Sequence, residues 1–392
     1  MKILYYSSHP NLNLAAPSGP GTHMREVIGA FKELGHEVET LILGGEEMNQ
    51  ESDIQFSESS SKKILKKILT ESMWQTLKDV RLRRFDRYAE KLLWKKIQDF
   101  QPDMVYERGY YLMTSGVKMS KKAGTRHIIE LNAPYPEEKI AMEGQSFLIN
   151  KSNQCEYEQV TMSERVVVVS SALKKYLTDR YPEAENKVIV TPNAINLNKL
   201  KVENKAVSKL RAQLNFDQKT VIGFVGSIFP YHGVDRLLDA FVSLSSSYPD
   251  ARLLIVGDGE TRAQLEARCA QLKLQEKVHF SGNVKHSDVP NYIELMDIAV
   301  MPKSNWYGSP VKIFEYGLLK KAVLAPDNVP VRDVMIPDVD GILIRDSVNE
   351  LKSALVRLLK DEDFRNKLAS NFHEKVTTKH RWEDVVRKIL AV

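Results

Sequence analysis

Residues 298–319 read Ile298-Ala-Val-Met-Pro-Lys-Ser-Asn-Trp-Tyr-Gly-Ser-Pro-Val-Lys-Ile-Phe-Glu-Tyr-Gly-Leu-Leu319. They pass from a short apolar run through a Pro/Gly/Ser/Asn loop into helical periodicity. Strand, loop and helix in that order form the repeating unit of a parallel sheet wound with helices. Ser309 is placed to cap the helix and Pro310 to be its first residue, which predicts a helix over 311–319. Lys312 then falls in the first turn, where the macrodipole disfavours a cation unless an anion such as a phosphate sits among the free backbone N–H groups. Glu315, three residues on and on the same face, is suited to accept hydrogen bonds from a sugar diol. The same two side chains would equally make an exposed (i, i+3) ion pair, and spacing alone does not separate the two readings.

The pattern repeats on both sides of this stretch. Val221–Val225, Arg252–Val256, Val278–Phe280, Ala322–Leu324 and Ile342–Ile344 read as strands, with helix-period segments at Arg236–Leu244 and Arg262–Leu272. The first half has the same rhythm: strand Ile3–Tyr6, a helix Thr22–Leu34 closed by Gly35, then strands Val38–Leu43, Met104–Tyr106, His127–Leu131 and Val166–Val169. The last is an uninterrupted valine run, as in strands covered on both faces. A polar, Asn/Lys-rich passage between Thr191 and Thr220 separates the halves. The fold class expected is α/β, with two facing Rossmann-like domains, 1–192 and 193–377, each built on a parallel sheet. Such sheets bind ligands beyond the carboxyl ends of their strands, so a cleft between the domains would be lined by strand-to-helix loops.

Composition narrows the function. With 392 residues, 43% apolar and 27% charged, the chain is an ordinary globular one. Its net charge of +5 is unevenly spread: residues 62–96 hold twelve Lys/Arg against Glu71, Asp79, Asp86 and Glu90. Basic charge with Trp and Leu at helical spacing suits an interfacial helix on anionic lipid, or equally a core-facing helix with a solvated basic back. No nucleic-acid recognition module accompanies it, and none is expected. Cys155 and Cys269 match no paired-ligand spacing, the histidines show no metal-ligand pattern, and Asp338-Val-Asp-Gly341 reads as a turn, so no metal is expected. The N-terminal strand lacks the parts of a signal peptide, and no run reaches the ~18 apolar residues of a membrane span. A cytoplasmic location, peripheral at the inner face of the plasma membrane, is the expectation.

Three further loops carry chemistry. Gly19-Pro-Gly21 would let backbone approach a pyrophosphate, but Met24 replaces the third glycine of a dinucleotide fingerprint, which argues against hydride transfer. Gly257-Asp-Gly259 closes a strand and would also serve as an ordinary tight turn. Gly226-Ser-Ile-Phe-Pro-Tyr-His-Gly233 presents His232, the histidine best placed for a phosphate or proton role.

Together these loops resemble the retaining glycosyltransferases of family 4, which have the GT-B fold of two facing Rossmann-like domains. The resemblance covers nearly the whole chain. It is carried by Gly19-Pro-Gly-Thr-His23 before a helix ending in Leu34-Gly-His-Glu-Val38, Glu130-Leu-Asn-Ala-Pro134, Val167-Val-Val-Ser-Ser-Ala-Leu173 and Val190-Thr-Pro-Asn-Ala-Ile195. It continues through Phe224–Leu238, Ile255-Val-Gly-Asp-Gly259, Phe280-Ser-Gly-Asn-Val284 and Ser309-Pro-Val-Lys-Ile-Phe-Glu-Tyr-Gly317. Trp382-Glu383 looks like the family's C-terminal segment, so 378–392 is expected to cross back onto the first domain.

The resemblance implies a nucleoside diphosphate sugar as donor, a UDP-sugar favoured, and a lipid-linked or saccharide acceptor in polysaccharide or glycolipid assembly, with no cofactor. It implies that Glu315 holds the ribose hydroxyls, that Gly19 and Gly21 face the diphosphate, and that the loop around Val284 meets the base. Glu130 and Asn132 would lie near the reacting centre. Two departures stand out: Tyr307 occupies the position eight before Glu315 where many members carry a second glutamate, and Ser227 and His232 stand where an Arg and a Lys are usual. Lys312 and His232 are expected to supply the missing positive charge, with Ser227, Gly257, Ser309 and Pro310 around them. A sugar-nucleotide 2-epimerase of the same fold, or a non-catalytic sugar-nucleotide-binding relative, is the alternative.

Overall fold

The computed structural model describes residues 1–16, 18–47, 69–198 and 200–391. The chain forms two compact units, Met1–Thr191 with Val386–Val392, and Pro192–Val385. Each is built on one six-stranded sheet in which every pairing is parallel.

In the first unit the strands are β1 Lys2–Ser7, β2 Glu37–Ile42, β3 Met104–Arg108, β4 Arg126–Leu131, β5 Arg165–Val168 and β6 Val188–Val190, in the order β2-β1-β3-β4-β5-β6. Ile3 to Tyr6 and Val166 to Val168 are fully buried because helices cover both faces; each such side chain contributes roughly 1.5–3 kcal/mol by leaving water. In the second unit β7 Thr220–Val225, β8 Ala251–Val256, β9 Val278–Gly282, β10 Ile298–Val300, β11 Ala322–Pro326 and β12 Ile342–Ile344 run β12-β11-β10-β7-β8-β9. Counted from its own first strand, that is the 3-2-1-4-5-6 order of the dinucleotide-binding fold. The order reverses beside β1 in one unit and beside β7 in the other. The loops leaving β1 and β3, and those leaving β7 and β10, therefore flank the crevices where such sheets hold ligands.

Three local expectations change. The helix read as Thr22–Leu34 spans Gly19–Glu33, because Ser18 caps it, accepting the Gly21 N–H at 3.2 Å, with a proline in the opening turn. Gly19 and Gly21 are thus first-turn residues and not loop. Residues 378–385 stay with the second unit, where the Ile195 amide donates to the His380 carbonyl at 2.9 Å, and the return to the first unit begins at Val386. Within 62–96, residues 62–68 lie outside the described ones and the rest belongs to the helix Glu71–Phe100. That helix turns Leu82, Phe85, Ala89, Leu93 and Ile97 into the core, so it is a packed helix with a basic back and does not lie with its apolar face on lipid.

Candidate functional site

In the second unit the residues around β7 and β10 converge. Lys312 opens a short helix, Lys312–Leu318, and its Nζ folds back over the Phe224 ring, 4.3 Å from the centroid. Gly226, leaving β7 with φ +144°, is what makes room: a β-carbon there would stand 2.7 Å from Nζ. The ammonium has no hydrogen-bond partner among the described residues. Burial pulls its pKa down to about 8, against the upward pull of Glu315.

His232 stands in the same loop. Its Nδ1 lies 2.6 Å from the Ser227 carbonyl and 3.3 Å from the Ser227 hydroxyl. A carbonyl only accepts, so Nδ1 carries the proton and Nε2 is left as an acceptor. Burial, reinforced by Lys312, lowers the imidazole pKa to about 4. His232 is therefore neutral at pH 7 and does not add the positive charge expected of it; low dielectric and a neighbouring cation both oppose its protonation.

Ser309 is not the helix cap. Its hydroxyl accepts the Asn193 N–H at 3.0 Å, and its carbonyl accepts the Asn193 side-chain amide at 2.6 Å. That pair pins Ser309 and Pro310 to the start of the unit, and Val311 occupies the cap position without a side-chain bond. The Gly257 amide donates to Gly282, and a β-carbon on Gly257 would meet the Gly226 carbonyl at 2.0 Å. Gly257 thus allows two strand-end loops to approach closely. Val284, on the loop after β9, packs against apolar core two strands from β7. Tyr307 is buried and meets Trp306 edge-on. Asp338 and Asp340 sit in a turn closed by the Asp338 N–H to Gly341 and paired with Arg357 and Lys375. Among the described residues no three His, Cys, Asp or Glu side chains gather as metal ligands.

The first unit holds a different arrangement at the ends of β3 and β4. Glu130 is 1% exposed and accepts from Tyr106 at 2.6 Å, Arg108 at 2.7 Å, Asn132 at 2.6 Å and His23 at 2.9 Å. Burial would raise its pKa, but His23, Arg108 and Tyr106 outweigh that and hold the carboxyl well below the usual carboxylate range. Arg108 faces Glu130 across the β3–β4 register, and Tyr106 lies two residues earlier on the same strand face. His23 reaches in from the third residue after Pro20 on the capped helix, fixing Gly19 and Gly21 relative to the strand ends. His9, after β1, lies with its ring 3.9 Å from that of Tyr110, and burial lowers its pKa to about 4. Glu130 and Asn132 were legible as candidates; His23, Tyr106 and Arg108 were not singled out, although a Tyr-Glu-Arg run ending an apolar strand was the available signal.

Comparison with known proteins agrees with this architecture. The family model described as glycosyl transferases group 1 matches residues 207–375, and that of Glycosyltransferase Family 4 matches 17–199. Alpha-D-kanosaminyltransferase of Streptomyces kanamyceticus is 27% identical over 165 residues, 42% of each chain. The GPI3 subunit of phosphatidylinositol N-acetylglucosaminyltransferase from Saccharomyces cerevisiae is 23% identical over 238 residues, 59% of this chain and 51% of the other. The chain thus spans about half or less of the length of these relatives. The solved structure of HepE from Anabaena with UDP-glucose superposes with a TM-score of 0.70 at 19% identity, covering 99% of this chain and 98% of that one. With two matching models in chain order over most of its length and two parallel six-stranded sheets, the chain belongs to the family 4, group 1 glycosyltransferases and has the GT-B fold.

Proposed function

We propose that the chain transfers a hexose or hexosamine from a nucleoside diphosphate sugar, a UDP-sugar by preference, to an acceptor hydroxyl, retaining the anomeric configuration and using no metal. The observation that carries this reading is the Lys312 ammonium, buried at the switch point of the second sheet with no hydrogen-bond acceptor among the described residues. A diphosphate supplies what that ammonium lacks. The solved HepE complex holds UDP-glucose, and the two named relatives transfer a kanosaminyl and an N-acetylglucosaminyl group, which fits a donor of this class.

As the anomeric bond breaks, the leaving diphosphate gains negative charge, and a fixed cation already in place stabilises that charge more than the ground state. Lys312 takes this role. Glu315, one turn along, accepts from the ribose hydroxyls. His232 offers an acceptor nitrogen, so its partner is a hydroxyl of the donor and not a phosphate oxygen. Gly19 and Gly21 present backbone at a helix start to the anion. Glu130, ionised and already accepting from four donors, is a poor nucleophile, which favours a same-face displacement: the acceptor oxygen bonds to the anomeric carbon, the anomeric carbon–phosphate oxygen bond breaks, and the acceptor proton passes to the leaving phosphate. Asn132 holds its amide N–H₂ toward Glu130 and keeps its carbonyl for the acceptor. The acceptor is lipid-linked or a saccharide.

A panel of UDP-, GDP- and dTDP-sugars read by thermal shift tests the donor. A UDP-sugar at 100 times its dissociation constant adds about 2.7 kcal/mol of stability. NMR of the product's anomeric proton reads the configuration. No shift with any sugar nucleotide, or an inverted product, overturns the proposal.

A further inference from the structure

The loop leaving β7 sets an unbonded polar atom and two aromatic rings side by side. Its first half is fixed to the neighbouring strand end. The Gly226 N–H donates to the Val256 carbonyl at 2.9 Å and the Ile228 N–H to the Asp258 carbonyl at 2.9 Å, while the Ile228 carbonyl accepts from the Thr261 N–H at 3.1 Å and the Thr261 hydroxyl at 3.0 Å. Its second half is a single 3₁₀ turn, Pro230–His232, ended by Gly233 at φ +69°, where a β-carbon would stand 3.1 Å from that of Lys303. The loops leaving β7 and β10 therefore touch, and both border the crevice beside Lys312.

On this fixed base Phe229 and Tyr231 lie with their rings parallel to within 4° and their centroids 5.5 Å apart, and Tyr231 is 55% exposed. The Tyr231 ring also leans on the His232 imidazole, with centroids 4.4 Å apart. His232 commits Nδ1 to the Ser227 carbonyl, and its Nε2 makes no hydrogen bond among the described residues. The Phe224 ring lies 6.2 Å from the imidazole and 4.3 Å from the Lys312 ammonium, so His232 and Lys312 share one aromatic neighbour. A phosphate matches little of this, since it offers Nε2 no proton and gains nothing from a ring face. A pyranose matches it well: its C–H bonds make an apolar face and its rim carries hydroxyl donors. Sites for such ligands join aromatic walls to a few placed polar groups that fix orientation.

We propose that Tyr231 and His232 bind a pyranose ring, the sugar group of the donor, with the Tyr231 ring on its C–H face and Nε2 accepting from one of its hydroxyls. This rests on the donor reading above and deepens it: Lys312 takes the diphosphate, and the sugar is bonded directly to that diphosphate. An acceptor saccharide has the same chemistry, and the measurements below separate the two. The pair sets specificity as well as affinity. A hydroxyl satisfies Nε2, whereas a carboxylate brings a second acceptor against it while Lys312 is occupied by the diphosphate, so neutral hexoses are favoured over uronic acids.

Binding of UDP, UDP-glucose and UDP-glucuronate to the full chain is measured by titration calorimetry with no acceptor present. UDP-glucose should bind about tenfold more tightly than UDP, and UDP-glucuronate no more tightly than UDP. Tyr231→Ala should erase that difference and leave the affinity for UDP within about twofold, whereas Tyr231→Phe, which keeps the ring, should retain it. His232→Ala should erase it too, and His232→Gln, which carries an amide oxygen, should restore part of it. Tyr231 is exposed and the bond that closes the turn belongs to His232, so the Tyr231 variants remain informative should His232→Ala loosen the loop. An unchanged difference between UDP-glucose and UDP in folded Tyr231→Ala, or UDP-glucuronate bound as tightly as UDP-glucose, overturns the inference and leaves the donor reading standing. A Tyr231→Ala protein in which only the KM of a saccharide acceptor rises overturns it as well, because the pair would then serve the other substrate. Failure of UDP itself to bind overturns both.

Discussion

Glu130 in one unit and Lys312 in the other both bury their charged ends, and the two are provided for in opposite ways. Glu130 has four donors on its carboxylate. Lys312 has an aromatic face and, among the described residues, no hydrogen-bond acceptor. Lys312 sits beside the reversal of strand order in its sheet, where a crevice is left, and Glu130 lies on β4, one strand beyond the reversal in the other. The contrast separates scaffold from receptor. A satisfied network fixes geometry and gains nothing when a ligand arrives, whereas an unsatisfied ammonium weakens the empty fold and is relieved only by an anion.

The largest effect should come from breaking the satisfied site. Glu130→Gln removes the anion that faces Arg108, itself 7% exposed, and leaves a buried guanidinium uncompensated. Loss of one partner of such a pair costs about 3–5 kcal/mol, readable by urea unfolding. The pH dependence has a definite sign. The folded carboxyl lies below the unfolded value of 4.5, so its stabilisation is complete above that value and is lost as pH falls below it. Wild type should lose stability on acidification through that window, and Glu130→Gln should lose less. Equal slopes would mean the network contributes little.

Breaking the unsatisfied site should do the reverse to stability. Lys312→Met removes the cation proposed to meet the diphosphate, and kcat/KM for the donor should fall by about 10²–10³, or ~2.7–4 kcal/mol. The folded protein should nevertheless gain. The ammonium titrates at about 8 in the fold against 10.5 unfolded, so below pH 8 the unfavourable burial of charge is fully present, and it fades as pH rises toward 10.5. Methionine at this position should therefore stabilise the chain at pH 7 by on the order of 2–3 kcal/mol, with the gain vanishing near pH 10. A variant that loses both activity and stability would make Lys312 a packing residue.

How much of this the sequence foretold follows from how local each cause is. Of the twelve strands among the described residues eleven were readable, most of them because a strand covered on both faces is apolar along its length; β6, Val188–Val190, is only three residues and follows a Pro/Glu-rich turn. Lys312, Glu315 and Asn132 were readable because they follow strands, and Glu130 because it lies at the end of one. The state of His232 was not, since its neutrality comes from the Ser227 carbonyl and Lys312, a contact set by folding. Nor was the partner of Ser309: capping propensity is a local preference, and Asn193, more than a hundred residues away, supplies a stronger pair of hydrogen bonds. His23 and Arg108 share Glu130 only because β1, β3 and β4 are assembled side by side.

The smallest expected effect sharpens the contrast most finely, because it asks whether a glycine belongs to the scaffold or to the ligand. Gly21 has a structural reason to be glycine: a β-carbon there would stand 2.5 Å from the Ala16 carbonyl. Gly19 has none. Among the described residues a β-carbon on it meets nothing within 4 Å, and its backbone is not left-handed. Alanine in a helical first turn restricts the unfolded chain without a clash, so Gly19→Ala should stabilise by about 0.4–1 kcal/mol, whereas Gly21→Ala should destabilise. If Gly19 is free of side chain so that backbone can approach a diphosphate, the same methyl should raise KM for the donor and leave kcat nearly unchanged. An unaltered KM in the more stable Gly19→Ala protein would remove Gly19 from the donor site and leave Lys312 as the main support for an anion there.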